Sequence, residues 1–164
     1  MTQTLHKIGD VAETLGTTIR TIRYYEEEGL LTPVRTDGGT RLYSTRHIDR
    51  LRAILRLARS GYSLDTIRDL ARAREQCATG DQTAAAVSAR LEALLADVDR
   101  RMHELRSLAL ELRSARNTVQ QCGGCRNPPS TAGCPGCPVV DRLPYIELLN
   151  LIWDEDGQSG PAHR

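Results

Sequence analysis

Residues 83–120 read TAAAVSARLEALLADVDRRMHELRSLALELRSARNTVQ, a long helical pattern that no proline interrupts. Apolar side chains recur there in steps of three or four, which keeps them on one side of a helix. They are Val87, Leu91, Leu94, Val98, Met102, Leu105, Leu108, Leu112, Ala115 and Val119. At 1.5 Å per residue such a helix would extend roughly 55 Å, and its narrow stripe is typical of a coiled-coil seam. The pattern predicts a dimerisation helix, for which a second copy of the chain is the simplest partner.

The rest of the composition indicates a protein that stays inside the cell. No apolar run approaches the roughly 20 residues of a membrane-spanning helix. The first residues, MTQTLHKIGD, lack the apolar segment of a secretory signal. We therefore expect a cytoplasmic location and no membrane partner. In a reducing cytoplasm, clustered cysteines are more often metal ligands or redox groups than disulfides.

The formal net charge of +1 is unevenly distributed along the 164 residues. Residues 1–74 contain 13 basic and 9 acidic side chains, whereas the remainder contains 9 basic and 12 acidic ones. The N-terminal end is therefore the basic one, as a nucleic-acid binder would require. A surplus of this size also fits an ordinary solvated surface.

Two short helices are predicted near the N-terminus. Residues 8–15, IGDVAETL, place apolar side chains at i, i+3, i+4 and i+7, and Gly16 ends that helix. Thr17 or Thr18 can cap a second helix that runs through Glu28, with Gly29 as its stop. Two such helices joined by a short turn are typical of a helix-turn-helix.

The outer face of the second helix carries side chains suited to DNA, while Ile19 and Ile22 are expected on its inner face. Arginine can bind guanine edges or phosphates, and threonine and tyrosine hydroxyls suit phosphates. These residues are Thr17, Arg20, Thr21 and Tyr24, with Arg23 beside them. The alternative is a solvated helix in which the two arginines pair with Glu27 and Glu26.

A hairpin and two further helices complete the N-terminal half. Residues 34–44, VRTDGGTRLYS, predict two short strands around an Asp-Gly-Gly turn, with Arg35 and Arg41 flanking it and Tyr43 following. Helix signals then run from Ser44 or Thr45 to about residue 60, and over residues 64–73.

Together these motifs resemble the DNA-binding domain of the MerR family of bacterial transcriptional regulators. The resemblance lies in IGDVAETLGTTIRTIRYYEEEGLLTPVRTDGGTRLYS and continues through the long helix. It implies a mostly α protein, with a winged helix-turn-helix, a long antiparallel coiled-coil helix and a Cys-rich loop with a short helix. It also implies contacts to the major groove or its phosphates and, through the wing, to the DNA backbone. The residues concerned are Thr18, Arg20, Arg23 and Tyr24 in the groove and Arg41 and Tyr43 in the wing.

Four of the five cysteines lie in CGGCRNPPSTAGCPGCP, residues 122–138. Cys122, Cys125, Cys134 and Cys137 form two C-x-x-C pairs, and four such thiolates can complete a tetrahedron around one ion. Cys77 lies in a polar loop before the long helix. In metal-sensing members of the MerR family, a cysteine at this end of the helix meets cysteines beyond the end of the partner's helix. The resemblance thus implies that Cys77 joins the partner's tail; a lone cysteine is otherwise usually a small buried hydrophobe.

The ligand type leaves the bound group open. Thiolates favour soft or borderline ions, including zinc and heavier divalent metals, and equally iron–sulfur clusters. Cys77 favours a sensed thiophilic ion, whereas the tail also resembles that of redox-sensing members of the family. A structural zinc with another effector is the third possibility. The family resemblance implies a homodimer that distorts double-stranded promoter DNA for RNA polymerase.

We expect four regions: a DNA-binding domain (1–76), a linker and dimerisation helix (77–121), a Cys-rich loop with a short helix (122–153) and a disordered tail (154–164). In the third region, Tyr145, Leu148, Leu149 and Ile152 would share one helical face. An enzyme is not expected, because no βαβ pattern flanks either C-x-x-C pair. A coiled-coil adaptor would leave the arginine-bearing helix and wing unexplained.

Overall fold

The computed structural model describes residues 4–128, 134 and 136–153, so the predicted disordered tail lies outside the described residues. The fold is mostly helical, as predicted. Its strands are β1 (Leu5–Lys7), β2 (Val34–Arg35) and β3 (Arg41–Ser44), and its α-helices are α1 (Ile8–Leu15), α2 (Ile19–Glu27), α3 (Thr45–Arg59), α4 (Leu64–Arg72) and α5 (Gly80–Val119). Three short 3₁₀ segments follow at Gln120–Cys122, Val140–Tyr145 and Glu147–Leu151. The chain divides into two compact units, residues 1–93 and 94–164.

The first two helices begin and end where the sequence signals placed them. Gly16 adopts a left-handed conformation with φ of 57°, and its N–H donates to carbonyls of the last turn of α1. The Thr18 hydroxyl then accepts the N–H of Thr21 at 3.1 Å and caps α2. Gly29, with φ of 69°, follows the second helix. These two left-handed glycines separate α1 from α2 and α2 from the wing.

The wing belongs to a three-stranded antiparallel sheet of order β1-β3-β2. Val34 lies opposite Leu42, and Arg35 lies opposite Arg41. The first strand pairs Leu5 with Ser44 and was not predicted. Three residues are too few to show the alternation by which a strand is recognised.

The core of the N-terminal unit is formed by side chains from α1, α2, the segment that follows α2, β3, α3 and α4. Its most deeply buried members are Val11, Ile22, Leu30, Tyr43 and Leu51. The expectation for Ile19 was wrong, because this first residue of α2 is 42% exposed. Tyr25, three residues after Ile22, takes the second buried position of the helix instead. The inward face of α2 therefore carries an aromatic side chain.

Helix α5 begins with a cap formed by two polar side chains. The Thr79 hydroxyl accepts the N–H of Gln82 at 3.2 Å, and the Gln82 side chain accepts the N–H of Ala78 at 2.9 Å. The helix then continues for 40 residues. Large apolar side chains along it are exposed in the single chain: Leu91, Leu95, Val98, Met102, Leu105, Leu108, Leu110 and Leu112. Exposed aliphatic area of this extent is typical of an interface.

The C-terminal unit has its own small cluster, in which Ala115 of α5 packs with Ile146 and Leu149. The predicted short α-helix is replaced by the two 3₁₀ segments, and Pro144 lies inside the first of them. Tyr145 and Ile152 are exposed, against prediction. Tyr145 lies off the three-residue repeat of a 3₁₀ segment, and Ile152 lies beyond the end of the second segment. Three-residue steps carry the apolar face from Leu143 to Ile146 and Leu149.

Within the part of the chain that the structure describes, no helix combines the length and the hydropathy needed to span a bilayer.

Candidate functional site

The predicted groove-facing residues lie on the surface of α2. Thr18, Arg20, Arg23 and Tyr24 are all exposed. Neither arginine forms an ion pair with any residue that the structure describes, and Glu26 binds a different arginine. The alternative in which Arg20 and Arg23 are used up by neighbouring glutamates is therefore not observed. The two guanidinium groups are available to an anionic partner.

The wing residues differ from each other in exposure. The Arg41 side chain is 37% exposed, and its Nε donates to Glu26 Oε2 at 2.9 Å. Tyr43 has no exposed surface, and its hydroxyl donates to the other oxygen of Glu26. This corrects the predicted contact of Tyr43 with the DNA backbone, since a buried hydroxyl bound to a carboxylate does not face a phosphate. The Arg41 side chain beside it is partly exposed.

Burial is the main cause that raises the pKa of Tyr43, and the hydrogen bond to Glu26 adds to it. The hydroxyl therefore stays protonated throughout the physiological range and always acts as the donor. The wing tip is fixed as well: the Gly39 N–H donates to the Thr36 carbonyl at 2.8 Å, and the Thr36 N–H donates to the Thr40 carbonyl at 3.0 Å.

A further basic surface on α3 was missed by the sequence analysis. Arg52, Arg56 and Arg59 line an open cavity beside Leu15 and Leu55. Arg59 Nη2 donates to the carbonyls of Leu15 at 3.4 Å and Gly16 at 3.0 Å, in the turn that precedes α2. The spacing of the three arginines puts them on one helical face, but that signal does not reveal which distant turn the face contacts.

In the tail, each C-x-x-C pair forms a tight turn. The Cys125 N–H donates to the Cys122 carbonyl at 3.0 Å, and the Cys137 N–H donates to the Cys134 carbonyl at 3.3 Å. The glycines before Cys125 and Cys137 have φ of 82° and 67°, respectively, and allow these turns. All four thiols are free, and Cys125 is the exposed one of the four.

The four tail cysteines interact electrostatically. Burial raises the pKa of Cys122, and the thiolate forms of Cys137, Cys125 and Cys134 raise it further. Among the described residues, however, no three potential ligands are gathered tightly enough to hold an ion. Thiolates repel one another unless a cation is present. A metal ion would therefore be needed to bring the four tail sulfur atoms into a tetrahedron.

Cys77 belongs to the N-terminal unit, in the loop between α4 and α5. Its thiol donates to the Ala73 carbonyl at 3.3 Å. Arg90 of α5 lies within electrostatic range of it and binds both carboxylate oxygens of Asp69, at 2.8 and 3.1 Å. Whether Cys77 meets the tail of a second chain stays a prediction, because it concerns two chains.

Two family models match the chain. The first, described as MerR HTH family regulatory protein, covers residues 6–74, and the second, MerR, DNA binding, covers residues 48–115. Among curated relatives, the HTH-type transcriptional regulator CueR of Vibrio cholerae is 30% identical over 83% of this chain and 89% of its own. HmrR of Rhizobium leguminosarum is 31% identical over 83% of this chain and 95% of its own.

The chain is also similar to solved structures of transcriptional regulators. The transcription regulator PbrR691 from Ralstonia metallidurans, in complex with lead(II), is 32% identical, with 84% of this chain and 98% of that one covered and a TM-score of 0.50. HiNmlR, a MerR family regulator lacking the sensor domain and bound to promoter DNA, has a TM-score of 0.62 at 24% identity. That match covers 73% of this chain and 89% of HiNmlR, and it supports the fold alone.

Proposed function

This chain belongs to the MerR family of DNA-binding transcriptional regulators, which are not enzymes, and we propose that it regulates a promoter in response to a thiophilic metal ion. The observation that carries the proposal is the pair of C-x-x-C turns in the tail, which present four cysteines within one short stretch of chain. The turns at Cys122–Cys125 and Cys134–Cys137 are both formed, so an ion would have to bring the thiols of one turn close to those of the other. The lead(II) complex of PbrR691 supports a soft metal as the ligand.

The proposed ligands are Cys122, Cys125, Cys134 and Cys137, with Cys77 contributed by a partner chain. Thiolates bind zinc and heavier divalent ions more strongly than they bind hard cations such as magnesium. When bound, the ion supplies positive charge that permits several thiolates to lie close together. An iron–sulfur cluster would use the same ligands, and a structural zinc with a separate effector remains the other alternative.

The proposed partners are a second copy of the chain, promoter DNA and RNA polymerase. The exposed apolar stripe of α5 would be buried by pairing with the same stripe of the second copy, and antiparallel pairing would bring each helix start beside the other helix's end. Thr18, Arg20, Arg23, Tyr24 and Arg41 are the proposed DNA contacts. Tyr43 is assigned to positioning Arg41.

Metal binding is proposed to act on the DNA-binding domains through the dimerisation helices. An ion at each end of an antiparallel pair would shift the relative placement of the two domains, and with it the bend or twist of the DNA between half-sites. Under this proposal the protein acts in the cytoplasm and has four regions. They are a DNA-binding domain (1–76), a linker and dimerisation helix (77–121), a metal-binding region (122–153) and a tail (154–164).

The test is anaerobic purification followed by elemental analysis, an absorption spectrum and titration with Zn²⁺, Cd²⁺ and Pb²⁺. We expect a colourless protein that binds a soft ion tightly, with Cys125→Ser weakening uptake by more than about tenfold, since losing even a group that only orients a ligand costs about that much. Iron, sulfide and visible bands would establish the cluster alternative instead. Transcription from the bound promoter that is indifferent to the ion would leave only a structural metal.

A further inference from the structure

Glu26 connects α2, the recognition helix that carries the proposed groove contacts, to the wing. Its side chain is 10% exposed, and both of its carboxylate oxygens are engaged by β3. Oε2 accepts Arg41 Nε at 2.9 Å, and Oε1 accepts the hydroxyl of Tyr43. A carboxylate held by one charged and one neutral donor in a nearly closed environment forms strong hydrogen bonds.

The two donors are arranged so that the wing has one position relative to the helix. Arg41 and Tyr43 are two residues apart on β3, which places them on the same face of that strand. The strand itself pairs with β1 on one side and with β2 on the other. The Tyr43 ring is buried in the core and stands edge-on to His47 at 6.4 Å. Glu26 is thus bound by a side chain that cannot move freely.

The same contact limits what Arg41 offers to DNA. Its described hydrogen bond uses Nε, so Glu26 does not occupy the two terminal nitrogens of the guanidinium group. The negative charge of Glu26 also offsets the charge of Arg41 that a phosphate would feel. Glu26 therefore weakens the attraction of this side of the wing for DNA in general while fixing where the guanidinium lies.

We propose that Glu26 is a specificity-determining positioning residue, which makes the wing and the recognition helix engage DNA in a single relative placement. The inference rests on the proposed DNA contact of Arg41. Some duplexes have base edges and a flanking phosphate at the spacing that this placement requires. Such a duplex is bound by both the recognition helix and the wing. A duplex of another sequence is bound by the wing only at the cost of breaking the Glu26 contact.

The experiment compares two duplexes under varied salt. One is the duplex most enriched by the wild-type protein from a randomised pool, and the other is a scrambled version of it. Glu26→Gln should tighten binding to the scrambled duplex and steepen its salt dependence by about one released counterion. The ratio of the two affinities should fall by roughly tenfold, the effect of losing one charge-assisted hydrogen bond.

Glu27→Gln is the matched control, because it removes the same charge from an exposed position of the same helix. It should tighten binding to both duplexes alike and leave their ratio unchanged. In an Arg41→Ala background, Glu26→Gln should no longer alter the ratio. An equal ratio in Glu26→Gln and Glu27→Gln, or an effect of Glu26→Gln that persists without Arg41, would overturn the proposal.

Two results separate this proposal from the function on which it rests. If Arg41→Ala leaves the affinity for both duplexes unchanged, the proposed wing contact is wrong and the role of Glu26 is wrong with it. If Arg41→Ala weakens binding but Glu26→Gln preserves the ratio, only the role of Glu26 is wrong. Should Glu26→Gln fail to fold, Arg41→Lys replaces it: it keeps the charge and salt dependence but lacks Nε, and it should lower the ratio.

Discussion

The hydroxyl of Tyr43 is a polar atom inside the core of the N-terminal unit, and Glu26 is its partner. A buried polar group contributes to stability when it is hydrogen-bonded and costs free energy when it is not. Removing the hydroxyl also leaves the Glu26 carboxylate with one donor fewer in a place where water has little access.

Tyr43→Phe should therefore lower the free energy of unfolding by about 1–2 kcal/mol. Urea titration followed by circular dichroism measures the change. The control is Tyr145→Phe, in which the same atom is removed from a side chain that is 82% exposed, with an expected change below about 0.5 kcal/mol. Equal effects of the two substitutions would contradict the importance of the Glu26 contact.

Metal uptake should depend on pH through Cys122. Because burial and the three neighbouring thiolates raise the pKa of Cys122, its thiol is protonated at neutral pH when no ion is bound. An ion must displace that proton, so apparent affinity should rise with pH between about 6 and 8. Proton release on adding Cd²⁺ in weak buffer measures this directly. Uptake that is independent of pH would contradict binding of the ion by thiolates, Cys122 among them.

At the scale of the element, α5 presents apolar side chains that only another surface can cover. Leu105 lies in the predicted stripe and is 65% exposed in the single chain. Leu105→Lys should convert a dimer to a monomer, because a buried ammonium without a partner is strongly unfavourable. Light scattering coupled to size exclusion gives the molar mass.

Leu110→Lys is the control for this substitution, since Leu110 is comparably exposed but lies about 140° around the helix from Leu105. It should leave the dimer intact. Dissociation by Leu110→Lys alone would mean that the pairing face of α5 is not the predicted one.

The 3₁₀ segment Glu147–Leu151 offers a second matched pair. Leu149 is fully buried against α5, whereas Leu151 is 84% exposed. Trp153, the single tryptophan, packs on the same cluster. Leu149→Ala should shift its fluorescence to longer wavelength as the cluster loosens, by analogy with other cavity-forming substitutions. Leu151→Ala should leave the spectrum unchanged, and identical spectra for both variants would contradict the packing.

Elements with strong local signals were predictable from the sequence, and those fixed by tertiary contacts were not. Gly16, Thr18, Ser44 and Ser63 mark helix ends through their own backbone or side-chain chemistry, and the structure places helix boundaries beside each. Strand β1 is defined by its pairing with β3, which is distant in the sequence. The 3₁₀ segments follow from Pro144 and from the surface of α5 that they cover.

The residues of the candidate site also separate into those that local patterns predict and those that tertiary contacts determine. Exposure of Arg20, Arg23 and Tyr24 follows from helical spacing and was foreseen. The burial of Tyr43 was not, since an alternating strand does not reveal which of its faces meets the core when both carry polar atoms. The contact of Arg59 with the turn at Gly16 joins residues 43 apart, which no local pattern reports.

At the scale of the whole molecule, the proposed metal site requires two chains, and mixed dimers can test this. One chain carries Cys77→Ser and the other carries Cys125→Ser. If each site combines Cys77 of one chain with the tail of the other, the mixed dimer contains one intact site and one site lacking both cysteines. We expect it to bind one Cd²⁺ per dimer with wild-type affinity.

A dimer built from a single type of mutant chain is the control and should contain no intact site. If every site combined Cys77 with the tail of its own chain, both sites of the mixed dimer would be damaged, and no tight binding would remain. If the tail held the ion without Cys77, the control dimer made only of Cys77→Ser chains would bind two ions with wild-type affinity. Affinity tags of different kinds on the two chains allow the mixed dimer to be isolated before titration.

The ion pair between Asp69 and Arg90 spans the loop that carries Cys77. It joins the last turns of α4 to the first turns of α5 and so limits how far the two helices can move apart. A ligand that displaces the Cys77 thiol would therefore also displace α4. Ile67 of α4 belongs to the same core as Ile22 of the recognition helix. If Cys77 binds an ion as proposed, the Asp69–Arg90 pair would help to pass a displacement of its sulfur to the DNA-binding domain, and replacing Asp69 would uncouple the two.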